Sequence, residues 1–464
     1  MARGIFRMLT VLMVSAVCFQ GIALASEAQL MAEINALKSK VAEIDGLKIR
    51  ILELEKKLEM QSCSITTQNT TVAEIKEQLI QYKPGGGITV PSCGIEITAG
   101  ATFLLQGTPN ANNADDSEAS RLDAAWSADI FIQKRFDDWG WAFMHLEPGQ
   151  GNGAENELSL YSNVNRDQND TGANVPITEL WYEHYLFDKQ LVITAGKMDL
   201  ANYIDQNQFA HDETTQFIGR IFRQNPAIEW PDDNSLGGRI VFAPKALNSI
   251  ALEGIYFDAD NSWEQVFDKP FVGAQFTLRT DELFGLNGEE WDGNYRLYWW
   301  MNCLDHSKLV VSGESASDNT KNYNTGFGFS CDQLITETVG VFARFGWQKP
   351  EYILASINPN AAQCEASWSG GMQVTGKYWK RPDDVAAFGV GQVFPSKQYK
   401  DAGVAGTAGA AEGHLELYYK CQMFKWLAIT PDFQWIWNPH GVNHNYLGDP
   451  DTIFVYGVRG QLDF

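Results

Sequence analysis

From Cys93 to Phe464 the chain alternates apolar and polar residues with a period of two, the signature of strands whose faces meet different surroundings. In the segment 414–420, Leu415, Leu417 and Tyr419 share one face, and His414, Glu416, Tyr418 and Lys420 the other. In 429–437, Ile429, Pro431, Phe433, Trp435 and Trp437 oppose Thr430, Asp432 and Gln434. In 126–133, Trp126, Ala128, Ile130 and Ile132 oppose Ser127, Asp129, Phe131 and Gln133. The rhythm predicts about sixteen strands: 94–106, 122–136, 140–147, 177–187, 190–198, 236–244, 248–258, 270–280, 292–303, 322–333, 338–348, 365–379, 383–394, 413–424, 426–438 and 452–464. Short turns (Asp137-Asp138, Asp188-Lys189, Glu337-Thr338, Pro382-Asp383, Lys425) alternate with long connections such as 107–121, 148–176, 199–235, 304–321, 349–364, 395–412 and 439–451. The stretch from Phe284 to Trp291 is the exception, a longish connection on the short-turn side.

Ahead of this region the period changes. Leu30, Ile34, Leu37, Val41 and Ile44 step by four and three. After a slip near Gly46 the seam resumes at Leu47, Ile51, Leu54 and Leu58 and runs through Gln61, Ile65, Gln68, Val72, Ile75 and Leu79 to Tyr82. Such heptads predict a coiled coil over residues 26–83, with two Gln layers and one stammer. Its length would be roughly 80 Å at 1.5 Å per residue. Pro84-Gly85-Gly86-Gly87 ends it and opens a linker, 84–93.

The first 25 residues read as a signal peptide: Arg3 and Arg7, an apolar run from Met8 to Phe19, then Ala23-Leu24-Ala25. No later window resembles a membrane-spanning helix. An exported alternating chain is either a soluble sandwich or a barrel that hides its apolarity by alternation. Trp and Tyr near strand ends, charged residues at mid-strand on the polar face, and the terminal Gln461-Leu462-Asp463-Phe464 favour an all-β transmembrane barrel preceded by a helical stalk. The net charge of −23 excludes nucleic acid as a partner. Six cysteines remain beyond the leader (Cys63, Cys93, Cys303, Cys331, Cys364, Cys421), permitting disulfides without fixing pairs.

Several stretches carry family text. Gly196-Lys197-Met198-Asp199 leads into Tyr203-Ile204-Asp205-Gln206-Asn207, then Asp212 to Phe217 and Asn225-Pro226. Asn324 to Gly328, Asp332-Gln333 and Val341 to Gly346 follow. Glu416 to Tyr419, Pro431 to Gln434 and Asn438-Pro439 come near the end. Together they resemble the carbohydrate-selective porin family, the OprB-type porins. The resemblance implies a sixteen-stranded outer-membrane barrel that passes monosaccharides and related small polar solutes by diffusion, without a cofactor. The stalk resembles that of some cyanobacterial relatives but lacks room for the wall-binding module those carry. Passage of inorganic ions is therefore the alternative, and a tether from outer membrane to cell wall or a periplasmic partner is another. Porins and coiled coils together imply a homotrimer.

A sugar channel needs a constriction of fixed donors and acceptors that binds weakly enough to release. In sixteen-stranded porins the loop at the place of 199–235 folds inward, which makes Asn202, Asp205, Asn207, Asp212, Glu213 and Gln216 eyelet candidates. Alternation adds Arg296, Arg344, Gln373, Glu416 and Gln434 from the wall, with Lys197 on an ambiguous face. Arg296 and Arg344 can equally form ion pairs that stiffen the barrel. No metal is expected: Asp199, Asn202, Asp205 and Asn207 lack the Gly and terminal Glu of a calcium loop, and His440 and His444 lack a third ligand. No nucleophile or metalloprotease motif marks an enzyme.

Overall fold

The alternating region folds into strands joined in chain order, and the hydrogen-bond ladder closes on itself. The computed structural model describes residues 27–78, 81–83, 86–91, 93–109, 111–112, 120–167, 171–172, 174–231, 234–280, 292–308, 320–321, 323–354, 364–401, 409–441 and 451–464. The predicted signal peptide and the stretch from Phe284 to Trp291 lie outside them, as does His444.

The barrel strands are β1 (Ile95–Thr108), β2 (Arg121–Phe136), β3 (Gly140–Leu146), β4 (Ile177–Leu186), β5 (Leu191–Met198), β6 (Ser235–Phe242), β7 (Ile250–Asp258) and β8 (Pro270–Arg279). They continue as β9 (Gly293–Asn302), β10 (Asn324–Thr336), β11 (Val339–Gln348), β12 (Cys364–Thr375), β13 (Val385–Pro395), β14 (Glu412–Phe424), β15 (Leu427–Trp437) and β16 (Thr452–Asp463). Each pairs antiparallel with the next, and β16 pairs with β1 through Val458↔Leu105 and Asp463↔Gly100. A sixteen-stranded antiparallel barrel leaves no open edge for lipid to meet. Each strand falls within a few residues of its sequence-based range. The largest overshoot is in the twelfth, read to 379: it ends at Thr375, where Gly376–Trp379 coils into a turn and the Gly376 amide donates to Asp384 O at 2.8 Å.

The two faces divide as a membrane requires. Outward positions are apolar and exposed: Leu105, Leu180, Leu252, Leu297, Phe345, Leu417 and Val458. Inward ones are polar and buried: Thr102, Ser127, Gln275, Ser330, Glu416 and Gln434. A water-soluble sandwich would show the reverse. Trp139, Trp379, Phe424 and Trp426 are exposed at the short turns, where aromatic rings anchor a lipid interface. Charges inside the wall are paired across strands. Arg239 Nε lies 2.5 Å from Glu253 and its Nη1 3.5 Å from Glu183.

The second unit of the chain is the helix α1 (Glu27–Gln78). Its apolar seam is exposed along the described side chains, from Ile34 at 41% to Leu58 at 70%. The helix stops at Gln78, short of Tyr82. Gln81–Lys83 instead pairs with Gly87–Val90 in a hairpin that adds onto β1 through Ile88↔Ile97. Gly87, at φ +76, opens the second of these strands. The described cysteines Cys93, Cys303, Cys331, Cys364 and Cys421 form no disulfide.

Candidate functional site: a constricted lumen

Two long loops lie against the inner wall. The loop 199–234 leaves β5 through a 3-10 turn capped by Asp199, whose side chain accepts from the Ala201 amide at 2.9 Å. Inward-facing strand residues then hold it at successive points. Gln275 accepts from the Asp205 amide at 3.4 Å and donates to Tyr203 O at 3.2 Å. Asn207 Nδ2 donates to Cys331 O at 2.9 Å, and the Gln208 amide to Asp332 at 3.3 Å. Arg344 Nε lies 3.1 Å from Asp205 Oδ2, and its guanidinium donates to the carbonyls of Asp205 (3.0 Å) and Phe222. Asp205 also accepts from Asn225 N at 2.8 Å and from Tyr298 OH at 3.1 Å. At the loop tip the Glu416 carboxylate accepts from the amides of Ile218 (2.7 Å) and Gly219 (2.9 Å). Wall glycines make room for bulky loop residues: a Cβ at Gly389 would meet the Phe222 ring at 2.8 Å, and one at Gly340 the Phe209 ring at 2.3 Å.

The loop 147–176 is held similarly. Glu412 accepts from the amides of Tyr161 (2.9 Å), Ser162 (2.8 Å) and His440 (2.7 Å), and from Ser162 Oγ at 2.7 Å. Gln434 donates to Val164 O at 2.9 Å. Arg166 N to Ile218 O (2.8 Å) and Arg220 N to Asn163 O (3.1 Å) join the two loops.

Beside them remains a cavity of about 510 Å³ reaching toward the short-turn end, where Thr98, Gly100, Gln461 and Phe464 line it. Its walls are strongly acidic. Asp129, Glu179 and Asp463 come from strands, and Glu147, Asp167, Asp199, Asp212 and Glu213 from the loops, with Arg223 as the single guanidinium. Arg223 is buried against Glu213 at 2.7 Å and faces Asp199 at 3.9 Å. Asp129 contacts His145 Nε2 at 2.9 Å. Burial and the neighbouring Asp129 push the Glu147 carboxyl up to about 7. Burial and the Glu213 charge likewise raise Asp167.

The twelve sequence candidates therefore separate. Asn202, Asp212 and Glu213 line the cavity. Gln216 braces the same loop, accepting from His211 N at 2.7 Å and Asp212 N at 3.1 Å. Asp205, Asn207, Arg344, Glu416 and Gln434 are buried and bonded to the loops. Arg296 pairs with Asp332 at 2.5 Å, and Gln373 donates to Tyr418 OH at 2.9 Å. Lys197 is a correction: alternation places it with outward Ile193, opposite exposed Leu180, and its Nζ donates to Ile177 O at 2.8 Å. Of the oxygens weighed for calcium, Asp205 is held by Arg344 and Asn207 by β10. The sequence pattern does not mark Asp129, His145, Glu147, Asp167, Glu179 and Asp463 as lining residues. The inward parity of Asp129 was visible, but where the loops leave space was not.

A closed sixteen-stranded barrel with apolar outside, polar inside and an inward-folded loop defines an outer-membrane channel. Residues 113–464 match the profile described as "Carbohydrate-selective porin, OprB family", and the chain belongs to that family. Among solved structures, the high-pH structure of Pseudomonas putida OprB is similar with a TM-score of 0.66 and 14% identity, over 80% of this chain and 95% of that one. The low-pH structure of the same protein gives 0.45 at 14% identity, over 80% and 93%. A loop L8 deletion mutant of OmpT, an outer membrane protein of Vibrio cholerae, gives 0.45 at 10% identity, over 80% and 99%. At such identities the likeness speaks to fold alone. None of the curated proteins matches.

Proposed function

We propose that this porin passes monosaccharides and related small polar solutes by passive diffusion, with the loop 199–234 forming the constriction. The observation that carries the reading is the clamped loop beside a cavity of about 510 Å³ rimmed by hydrogen-bonding side chains. That volume lies within the roughly 300–1,000 Å³ of small-molecule pockets. In this reading Asn202, Asp212 and Glu213 face the solute, while Asp205, Asn207, Gln216, Arg344, Glu416 and Gln434 keep the loop in place. Single-channel recording in planar bilayers tests it: glucose should reduce the KCl current saturably. An ohmic, glucose-insensitive current would refute sugar selectivity.

A second reading has its own observation, the eight carboxylates around the cavity against one guanidinium. Fixed negative charge in a narrow polar passage favours cations. A cation-biased reversal potential in a KCl gradient, without glucose block, would make inorganic cations the main solute. The first barrel strand starts where the last one ends, on the short-turn side, which in outer-membrane barrels faces the periplasm. We therefore place the stalk there, as a trimerising coiled coil whose exposed seam is buried between copies. Deleting residues 26–83 should leave conductance intact and abolish the trimer; weakened envelope cohesion would add a tethering role.

A further inference from the structure

We propose that Asp258, Asp260 and Asp268 form a calcium site at the rim of the barrel, between the ends of β7 and β8. The ladder brings these residues together. Asp258 is opposite Pro270, and Ala259 N donates to Lys269 O at 3.1 Å. The next pair outward therefore sets Asp260 against Asp268, and alternation puts all three carboxylates on the same face, above outward Tyr256. Their ligand oxygens lie within 4.8 Å of one another.

Three carboxylates this close repel unless something neutral or cationic stands between them, since like charges facing across a strand pair are unfavourable. Among the described residues no lysine, arginine or histidine forms an ion pair with any of the three. The adjacent Lys269 turns to Asp305 at 3.2 Å. A separate observation concerns Asp258 itself: it is fully buried, and its Oδ1 has no hydrogen-bond partner. Its Oδ2 takes a long contact from Trp263 N at 3.5 Å, and the nearest side chain to the carboxyl is another acid, Asp260. Tyr256 Oη, two residues below on the same face, is also buried without a partner. A desolvated carboxylate oxygen lacking a donor, surrounded by further carboxylates, is the environment a cation satisfies.

The chemistry selects the ion. Every donor is an oxygen, and no His or Cys is in the cluster, which favours a hard cation over zinc or copper. Calcium binds oxygens at about 2.3–2.6 Å in flexible geometry, which suits carboxylates brought within 4.8 Å of one another. Magnesium demands near-ideal octahedral geometry and keeps most of its water. Backbone carbonyls and water would complete the shell. Ser262 N already donates to Asp260 Oδ1 at 3.1 Å, leaving the second oxygen of that carboxylate for the metal. The site belongs to the long-loop rim, apart from the lumen, so its occupation fixes a surface loop and leaves the solute path alone.

Terbium luminescence of the purified full-length protein, folded in detergent, tests the proposal. Tyr256 and Trp263 stand close enough to sensitise the ion. Saturable emission is expected, displaced by calcium at roughly 0.1–1 mM, the range of extracellular calcium modules. Asp260→Asn with Asp268→Asn, both exposed positions, should lose at least tenfold in affinity while keeping heat-modifiable gel mobility and channel conductance. Absence of calcium-displaceable emission overturns the site. So does emission that survives this double variant and disappears in Asp129→Asn with Glu147→Gln, which would assign the ion to the lumen.

Discussion

Replacing Arg344 with alanine should unclamp the constriction without opening the barrel. The guanidinium is buried, and it joins the two ends of the loop segment 205–222: it holds the Asp205 carboxylate at 3.1 Å and the carbonyls of Asp205 and Phe222. Truncating one partner of a buried pair costs about 3–5 kcal/mol. Asp205 would keep Asn225 N and Tyr298 OH, which points to the lower end. About 3 kcal/mol shifts the docked-to-undocked ratio roughly a hundredfold, at 1.4 kcal/mol per tenfold. The remaining clamps at Gln275, Asn207 and Glu416 keep the docked state dominant. None of the inter-strand backbone ladder depends on this side chain. The expected record is therefore a main conductance near wild type, interrupted by brief larger openings. Arg344→Lys should be intermediate, since it keeps the charge but loses the fork. Asp205→Asn with Arg344→Met, which leaves no stranded charge, should be quieter than Arg344→Ala alone. If Arg344→Ala folds, by heat-modifiable mobility, and its traces match wild type in amplitude and noise, this residue does not hold the loop.

The same clamp can be forced from the wall: Gly389→Val should drive out the Phe222 ring and give openings like those of Arg344→Ala, whereas Gly254→Ala, where a Cβ meets open space, should not. Glu147 adds a pH dependence. With its carboxyl pushed up to about 7, it is charged above that pH and neutral below, so the K⁺/Cl⁻ permeability ratio should fall as pH drops from 8 to 6. Reversal potentials would show this, Glu147→Gln should shrink the change but leave the part due to Asp167, which burial also raises, and a constant wild-type ratio would count against a conducting role for the residue. Asp212→Asn with Glu213→Gln should lower the same ratio severalfold at pH 8, because both line the cavity; an unchanged ratio would place the current elsewhere.

The barrel was legible because lipid and lumen impose opposite demands on alternate residues. Leu415, Leu417 and Trp435 had to face outward, and Glu416 and Gln434 inward, whatever the neighbouring strands did. The alternation of turns and loops likewise followed from the text. What failed locally was continuity. The heptad count carried the stalk to Tyr82, because spacing alone cannot show that Gln81–Lys83 finds a better partner in Gly87–Val90. The sequence leaves the face of Lys197 ambiguous, and the structure shows Gly196 before it at φ +147. Pairing with Leu180 resolves it outward.

The lumen residues were the harder case, and the reason is energetic. Parity says that a polar side chain points inward but not whether it meets solute or protein. A loop folded into a lumen brings unpaired backbone amides and carbonyls with it, and each must find a partner. The wall supplies them: Glu416 serves two amides, Glu412 three, and Arg344 two carbonyls. The residues that look most like a binding site in sequence, charged and inward at mid-strand, are thus the ones most needed for holding the loops and the least accessible to solute. In the proposed reading the solute path falls to carboxylates beside the constriction, Asp212 and Glu213 on the loop and Asp129 on the wall. Substitutions at the two groups should therefore differ in kind: loop anchors change gating and noise, and cavity carboxylates change charge selectivity at nearly constant gating.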